Sequence, residues 1–101
     1  MQLLTDELRS QLPALYAQEK EKDKMVYIKF FTPWSNWTWY VTEGGEEEGD
    51  FIFFGYVIGF EKEWGYFSLN EMQAVRGPGG LTIERDLHFT PTRQSEIPEI
   101  E

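Results

Sequence analysis

Between residues 25 and 69 the chain reads as one strand after another, and the residues that make it so are largely aromatic. Val26, Ile28 and Phe30 alternate with Tyr27, Lys29 and Phe31; Trp37, Trp39 and Val41 alternate with Thr38, Tyr40 and Thr42. A period of two puts each set on its own face of an extended strand. Pro33 closes the first run, since it has no N–H to give a ladder. Residues 51–60 are apolar on both faces, which fits a central strand or one with an exposed patch. Gly55 and Gly59 share a face there, and glycine in a strand marks a bulge or the close approach of another backbone. After the charged turn at 61–63, residues 64–69 return as a further short strand.

The flanks are helical in pattern. Leu4, Leu8, Leu12 and Leu15 form one stripe, Thr5 can cap it, and Asp6 and Glu7 suit the positive end of the helix dipole. Pro13 interrupts the stripe and predicts a break. Residues 18–24 alternate charges without apolar anchors and read as a solvated connection. Ser68 and Glu71 have the capping-box spacing, which predicts a short helix from Leu69 to about Arg76, ended by the turn Gly77-Pro78-Gly79-Gly80. That turn lacks the Lys and Ser/Thr of a phosphate loop. Residues 82–90 alternate again, with Ile83, Arg85, Leu87 and Phe89 on one side and Glu84, Asp86 and His88 on the other. An arginine among apolar neighbours needs a carboxylate or carbonyl partner. The tail 91–101 is expected to be acidic and loosely held. The class these elements imply is α+β, a single domain over 1–101. Its core is a single-layer antiparallel sheet of four to five strands, with the N-terminal helix and the short second helix packed on one face.

Composition narrows the function. With no cysteine in 101 residues there are no disulfides, thiolate metal sites or cysteine nucleophiles. His88 is the sole histidine, so no two-histidine metal site forms within one chain. Seventeen aromatic residues exclude disorder. The longest apolar run, 51–60, falls far short of the roughly 20 residues that span a bilayer, and no basic-then-apolar export segment opens the sequence. The expected location is the cytoplasm. A net charge of −9 disfavours direct binding to nucleic acid or anionic membranes and suits a basic protein partner, or simple solubility.

Two constellations stand out. Glu43, Glu46, Glu47, Glu48 and Asp50 put five carboxylates into an acidic, glycine-rich loop. Their spacing does not match a calcium loop. They could steer the chain to a basic groove, with Trp37, Trp39 and Tyr40 as candidate aromatic anchors; the plain alternative is a solubilising hairpin. Glu84, Asp86 and His88 could form a polar cluster, although period-two polarity is what any half-solvated strand shows. No nucleophile–base pair is evident, so no enzyme activity, catalytic residue, metal or other cofactor is expected. An aromatic sheet with one bare face would also suit a homodimer.

The segments LLTDEL…LPALY, VYIKFFTPWSNWTWYVTEG, GDFIFFGYVIGFEKEWGYFSLNE and VRGPGGLTIERDLHF together resemble the domain-of-unknown-function family numbered twenty-nine fifty-eight, from about Leu3 to Thr90. These are small proteins of bacterial plasmids, integrative elements and phages. The blocks at 36–44 and 84–89 carry the likeness most specifically. It implies no established activity and no catalytic residues. Genes of this kind sit among anti-restriction and establishment genes, an association rather than a mechanism. The resulting expectation is a small acidic binding protein of a mobile element that inhibits or modulates a host defence or DNA-processing protein. The alternative is a ligand- or peptide-binding scaffold that uses an aromatic sheet face.

Overall fold

The computed structural model describes residues 1–101. Its centre is a five-stranded antiparallel sheet built from β2 (Ile28–Phe31), β3 (Thr38–Glu47), β4 (Asp50–Ile58), β5 (Lys62–Ser68) and β6 (Glu84–Arg85), in the order β5-β4-β3-β2-β6. A second sheet pairs β1 (Met25–Val26) with β7 (Thr92–Arg93). Two short helices, α1 (Asp6–Gln11) and α2 (Leu69–Ala74), complete the elements used below. The fold is thus mixed α and β with a largely antiparallel main sheet, but the second sheet departs from the single layer expected. No helix is long and apolar enough to cross a membrane.

The caps work as the sequence suggests. Thr5 accepts the Leu8 N–H at 3.1 Å, and Ser68 accepts the Glu71 N–H at 3.1 Å. Each cap satisfies one of the amides that a helix start leaves without a partner. Pro13 does end the first leucine stripe, with α1 stopping at Gln11. Arg85 finds carbonyl partners, donating to Leu3 at 2.9 Å and also to the Gln2 oxygen.

One face of the sheet buries Ile28, Phe30, Trp39, Val41 and Phe53 against Leu3, Leu4 and Leu12 from the N-terminal segment and Met72 of α2. The opposite face is also covered. Val26, Tyr40, Tyr56 and Ile97 form a second buried cluster, joined by Trp64, Phe89 and Ile100. This corrects two expectations. The sheet has no bare face across β3, and the tail is not loose: Ile97 is 7 % exposed, and the Tyr40 hydroxyl donates to the Glu99 carboxylate. Burial, and then that neighbouring carboxylate, hold the Tyr40 phenol un-ionised far above the usual phenol range.

Three further segments differ from expectation. Residues 25–32 are two strands: β2 pairs with β3 from Ile28, Tyr27 still donates to the Val41 carbonyl at 2.9 Å, and β1 pairs with β7 instead. The run 82–90 is a strand at Glu84 and Arg85 alone. Beyond it Asp86 turns the chain, accepting the His88 N–H at 2.9 Å, and Leu87 points to solvent. The connection 18–24 is anchored by Gln18, whose buried side-chain amide donates to the Met25 and Thr42 carbonyls at 2.9 Å each.

Candidate functional site

The segment read as an acidic loop is a strand. β3 runs through Gly44 and Gly45 to Glu47, pairs with β4, and turns at Glu48 and Gly49. Both turn residues have positive φ, 47° and 81°, which is the geometry of a tight two-residue hairpin turn. Glycine takes that conformation freely, whereas glutamate adopts it under strain.

A bulge in β3 sorts the carboxylates. Pairing with β4 jumps from Val41 to Glu43, so Thr42 is the extra residue and the in–out alternation shifts by one. Val41 faces Gly55, and Glu43 faces Phe54. A Cβ on Gly55 would lie 1.9 Å from the Tyr40 carbonyl oxygen, so the position opposite the bulge has no room for a side chain. Glu43 therefore turns to the second face and is buried at 2 % exposure. Its two oxygens accept the Tyr16 N–H at 2.8 Å and the Gln18 N–H at 2.7 Å. Asp50 is similarly committed to the fold, accepting from the Ser68 hydroxyl, the Phe51 amide at 2.7 Å and the Asn70 amide at 3.0 Å. The Ser68 hydroxyl and the Asn70 amide hold its carboxyl below the ordinary aspartate range.

The five acidic candidates thus divide. Glu43 and Asp50 are internal fasteners, while Glu46, Glu47 and Glu48 stand exposed at the hairpin tip, with Arg9 paired to Glu46. The aromatic candidates divide as well: Trp39 and Tyr40 are core, and Trp37 is half-buried. Acidic and aromatic candidates do not make one surface. The hairpin tip is at the start of β4 and the exposed Phe60 follows its far end, about 30 Å away at the rise of an extended strand.

Phe60 is the residue the alternation did not single out. It is 95 % exposed at the β4–β5 turn and meets Trp37 edge-on at 5.4 Å. Trp37 lies over Gly59, and Trp34 lies over Gly77; a Cβ on either glycine would come within 2.4 Å of the indole above it. Together with Val75 and Ile83 these rings line an apolar groove of about 500 Å³. The alternation carried the strand to residue 60, whereas β4 ends at Ile58 and leaves Phe60 in the turn.

Glu84, Asp86 and His88 all border one broad, open cleft, beside Arg85 and Lys29. No group of three or more histidine or carboxylate side chains is placed to hold a metal ion, and Asp86 spends an oxygen on its own turn.

A family model described as "Protein of unknown function (DUF2958)" matches residues 3–97. The chain belongs to this family. The match extends past Thr90 into the tail that covers the second face, so the member sequence includes Ile97. No curated protein and no solved structure matches the chain.

Proposed function

We propose that this DUF2958 member is a non-catalytic binding protein that engages a protein partner with a basic surface. The observation that carries this reading is unspent charge. Of eighteen acidic side chains, Glu46 and Glu101 alone have a cationic side chain within ion-pair distance. Carboxylates left in solvent generate a long-range field that accelerates encounter with a basic surface and is screened by salt. Phe60 and its groove supply the second requirement, a desolvatable aromatic anchor of the kind that dominates interface energy. Proteins that handle nucleic acid present basic grooves of this kind. With the resemblance to mobile-element proteins, that favours a host defence or DNA-processing protein in the cytoplasm as the partner.

The test is capture by the tagged chain from a bacterial lysate at low and high salt, read by mass spectrometry. The wild type is compared with Phe60→Ser and with the triple variant Glu46→Lys, Glu47→Lys, Glu48→Lys. One nucleic-acid-handling protein, lost with rising salt and weakened by both variants, is the expected result. Capture indifferent to salt and to both variants refutes the reading.

A further inference from the structure

We propose that the second sheet face carries a receptor for a guanidinium group, the side chain of an arginine presented by a basic partner. A cavity of about 360 Å³ opens there between β4, β5 and the segment that follows Pro13. Phe54 and Trp64 lie nearly parallel on its sheet side, 6.0 Å apart with planes at 15°, and Tyr66 leans on Phe54 at 4.9 Å. Tyr16 also lines the cavity, its ring edge-on to Tyr66 with centres 6.4 Å apart. Aromatic faces carry negative potential and attract cations within about 6 Å. The protein already uses one of these faces in that way. The Lys24 ammonium lies 5.8 Å from the Trp64 ring centre, tethered by the Gln18 carbonyl at 3.0 Å and the Glu21 carbonyl at 2.6 Å.

Charge selects a second cation. Glu43 and Glu19 line the cavity with Lys24, so two carboxylates face one ammonium and one negative charge is left over. The same field reaches the Tyr66 phenol. It is held above its usual range first by the Tyr16 hydroxyl beside it, then by burial and by the carboxylates of Glu43 and Glu19.

Tyr16 adds an independent observation. Its φ is +74°, a region that bulky side chains rarely adopt, and its N–H is pinned there by Glu43. The turn carries the Tyr16 and Gln18 amides to buried Glu43, yet Tyr16 itself stays 61 % exposed. The turn also leaves the Tyr16 ring lining the cavity, edge-on to Tyr66. Strained backbone persists where the surrounding structure over-determines it, and it concentrates at ligand clamps. A guanidinium fits this chamber better than a second ammonium does, because it is planar, stacks on rings and bonds carboxylates along its edge.

The arginine's source rests on the binding-protein reading, but the receptor itself can be tested without any partner. The intact ¹⁵N-labelled protein is titrated with N-acetyl-arginine amide and with the citrulline analogue, whose urea has the same shape and no charge. The lysine analogue and free arginine complete the set. Saturable shifts at the Trp64 indole and the Tyr16 and Tyr66 amides are expected with capped arginine. Binding should be at least fivefold weaker for each other probe, and at least fivefold weaker for capped arginine in Tyr66→Ala and in Glu19→Gln, both exposed positions. Equal response to the citrulline probe, or shifts confined to the Glu46–Glu48 tip, overturns the site. Equal binding of the lysine probe overturns the guanidinium assignment, and tighter binding of free arginine overturns the partner side chain as its source. A blank lysate capture leaves this titration unaffected, so the two readings fail separately.

Discussion

Removing the tail should cost the protein a large part of its stability. Ile97 is buried against Val26, Tyr40 and Tyr56. Ile97→Ala deletes three carbon groups, worth about 2.4 kcal/mol at roughly 0.8 kcal/mol each. The site lies at the edge of the chain and can partly collapse, so the cavity adds little and the total stays at about 2–3 kcal/mol. Deleting residues 91–101 also removes the pairing of β7 with β1 and both bonds between Lys24 and Gln94, each 2.8 Å. At a net value of roughly 1 kcal/mol per hydrogen bond, Ile97 and the two Lys24–Gln94 bonds alone bring the deletion to about 4–5 kcal/mol, a lower bound before the ladder is counted. A domain of this size has roughly 5–15 kcal/mol in total. Urea unfolding followed by tryptophan fluorescence measures both changes, with Ile97→Ala shifting the midpoint at unchanged slope. A truncated chain within about 0.5 kcal/mol of the intact one would mean that the tail does not cover the second face.

Gly55 and Gly65 form a directly paired couple with opposite sensitivities. Gly55→Ala must displace the Tyr40 carbonyl and should destabilise by at least about 3 kcal/mol, whereas a Cβ on Gly65 meets nothing within 4 Å and Gly65→Ala should be neutral or slightly stabilising. Equal midpoints for the two variants would place the bulge elsewhere. Asp50 and Asp23 are both held below the ordinary aspartate range, Asp50 by the Ser68 hydroxyl and then the Asn70 amide, Asp23 by the amide and then the hydroxyl of Ser95. A depressed folded-state value means the stabilisation is full above the unfolded value of roughly 4 and is lost as pH falls through the folded value. Stability should therefore drop on acidification below about pH 4, and the Asp23→Asn, Asp50→Asn double variant should show a flatter acid limb, measured by thermal unfolding from pH 2 to 7.

What could be read from the residues was whatever depends on near neighbours. The caps at Thr5 and Ser68, the alternation from Trp37 to Val41, the interior place of β4 and the tight approach at Gly55 all follow from local chemistry. The bulge does not. A single extra residue at Thr42 reverses the phase of everything after it, and no residue type announces it except the glycine on the partner strand. Glycine and glutamate are poor strand formers, so residues 43–50 read as a loop, yet tertiary pairing with β4 overrides that preference. Gln18 and Tyr16 sat in a charged stretch with no periodic signal, and their roles arise from Glu43, more than twenty residues distant in sequence. Ile97 and Ile100 were visible apolar residues in an acidic tail, and they are the ones that dock.

The hydrogen exchange of two amides tests most directly whether a bulge-directed carboxylate builds the second face. The Tyr16 and Gln18 amides lie outside helix and strand and bond to Glu43; Gln18 is also buried, whereas Tyr16 is exposed, so the Tyr16 amide is the sharper probe. Protection at both, comparable to that of the β3 amides, is the expected result, since opening them requires breaking bonds to a buried charge. Exchange as fast as at Lys22 would show that Glu43 does not hold the segment, and with it would go the cavity and the receptor assigned to it.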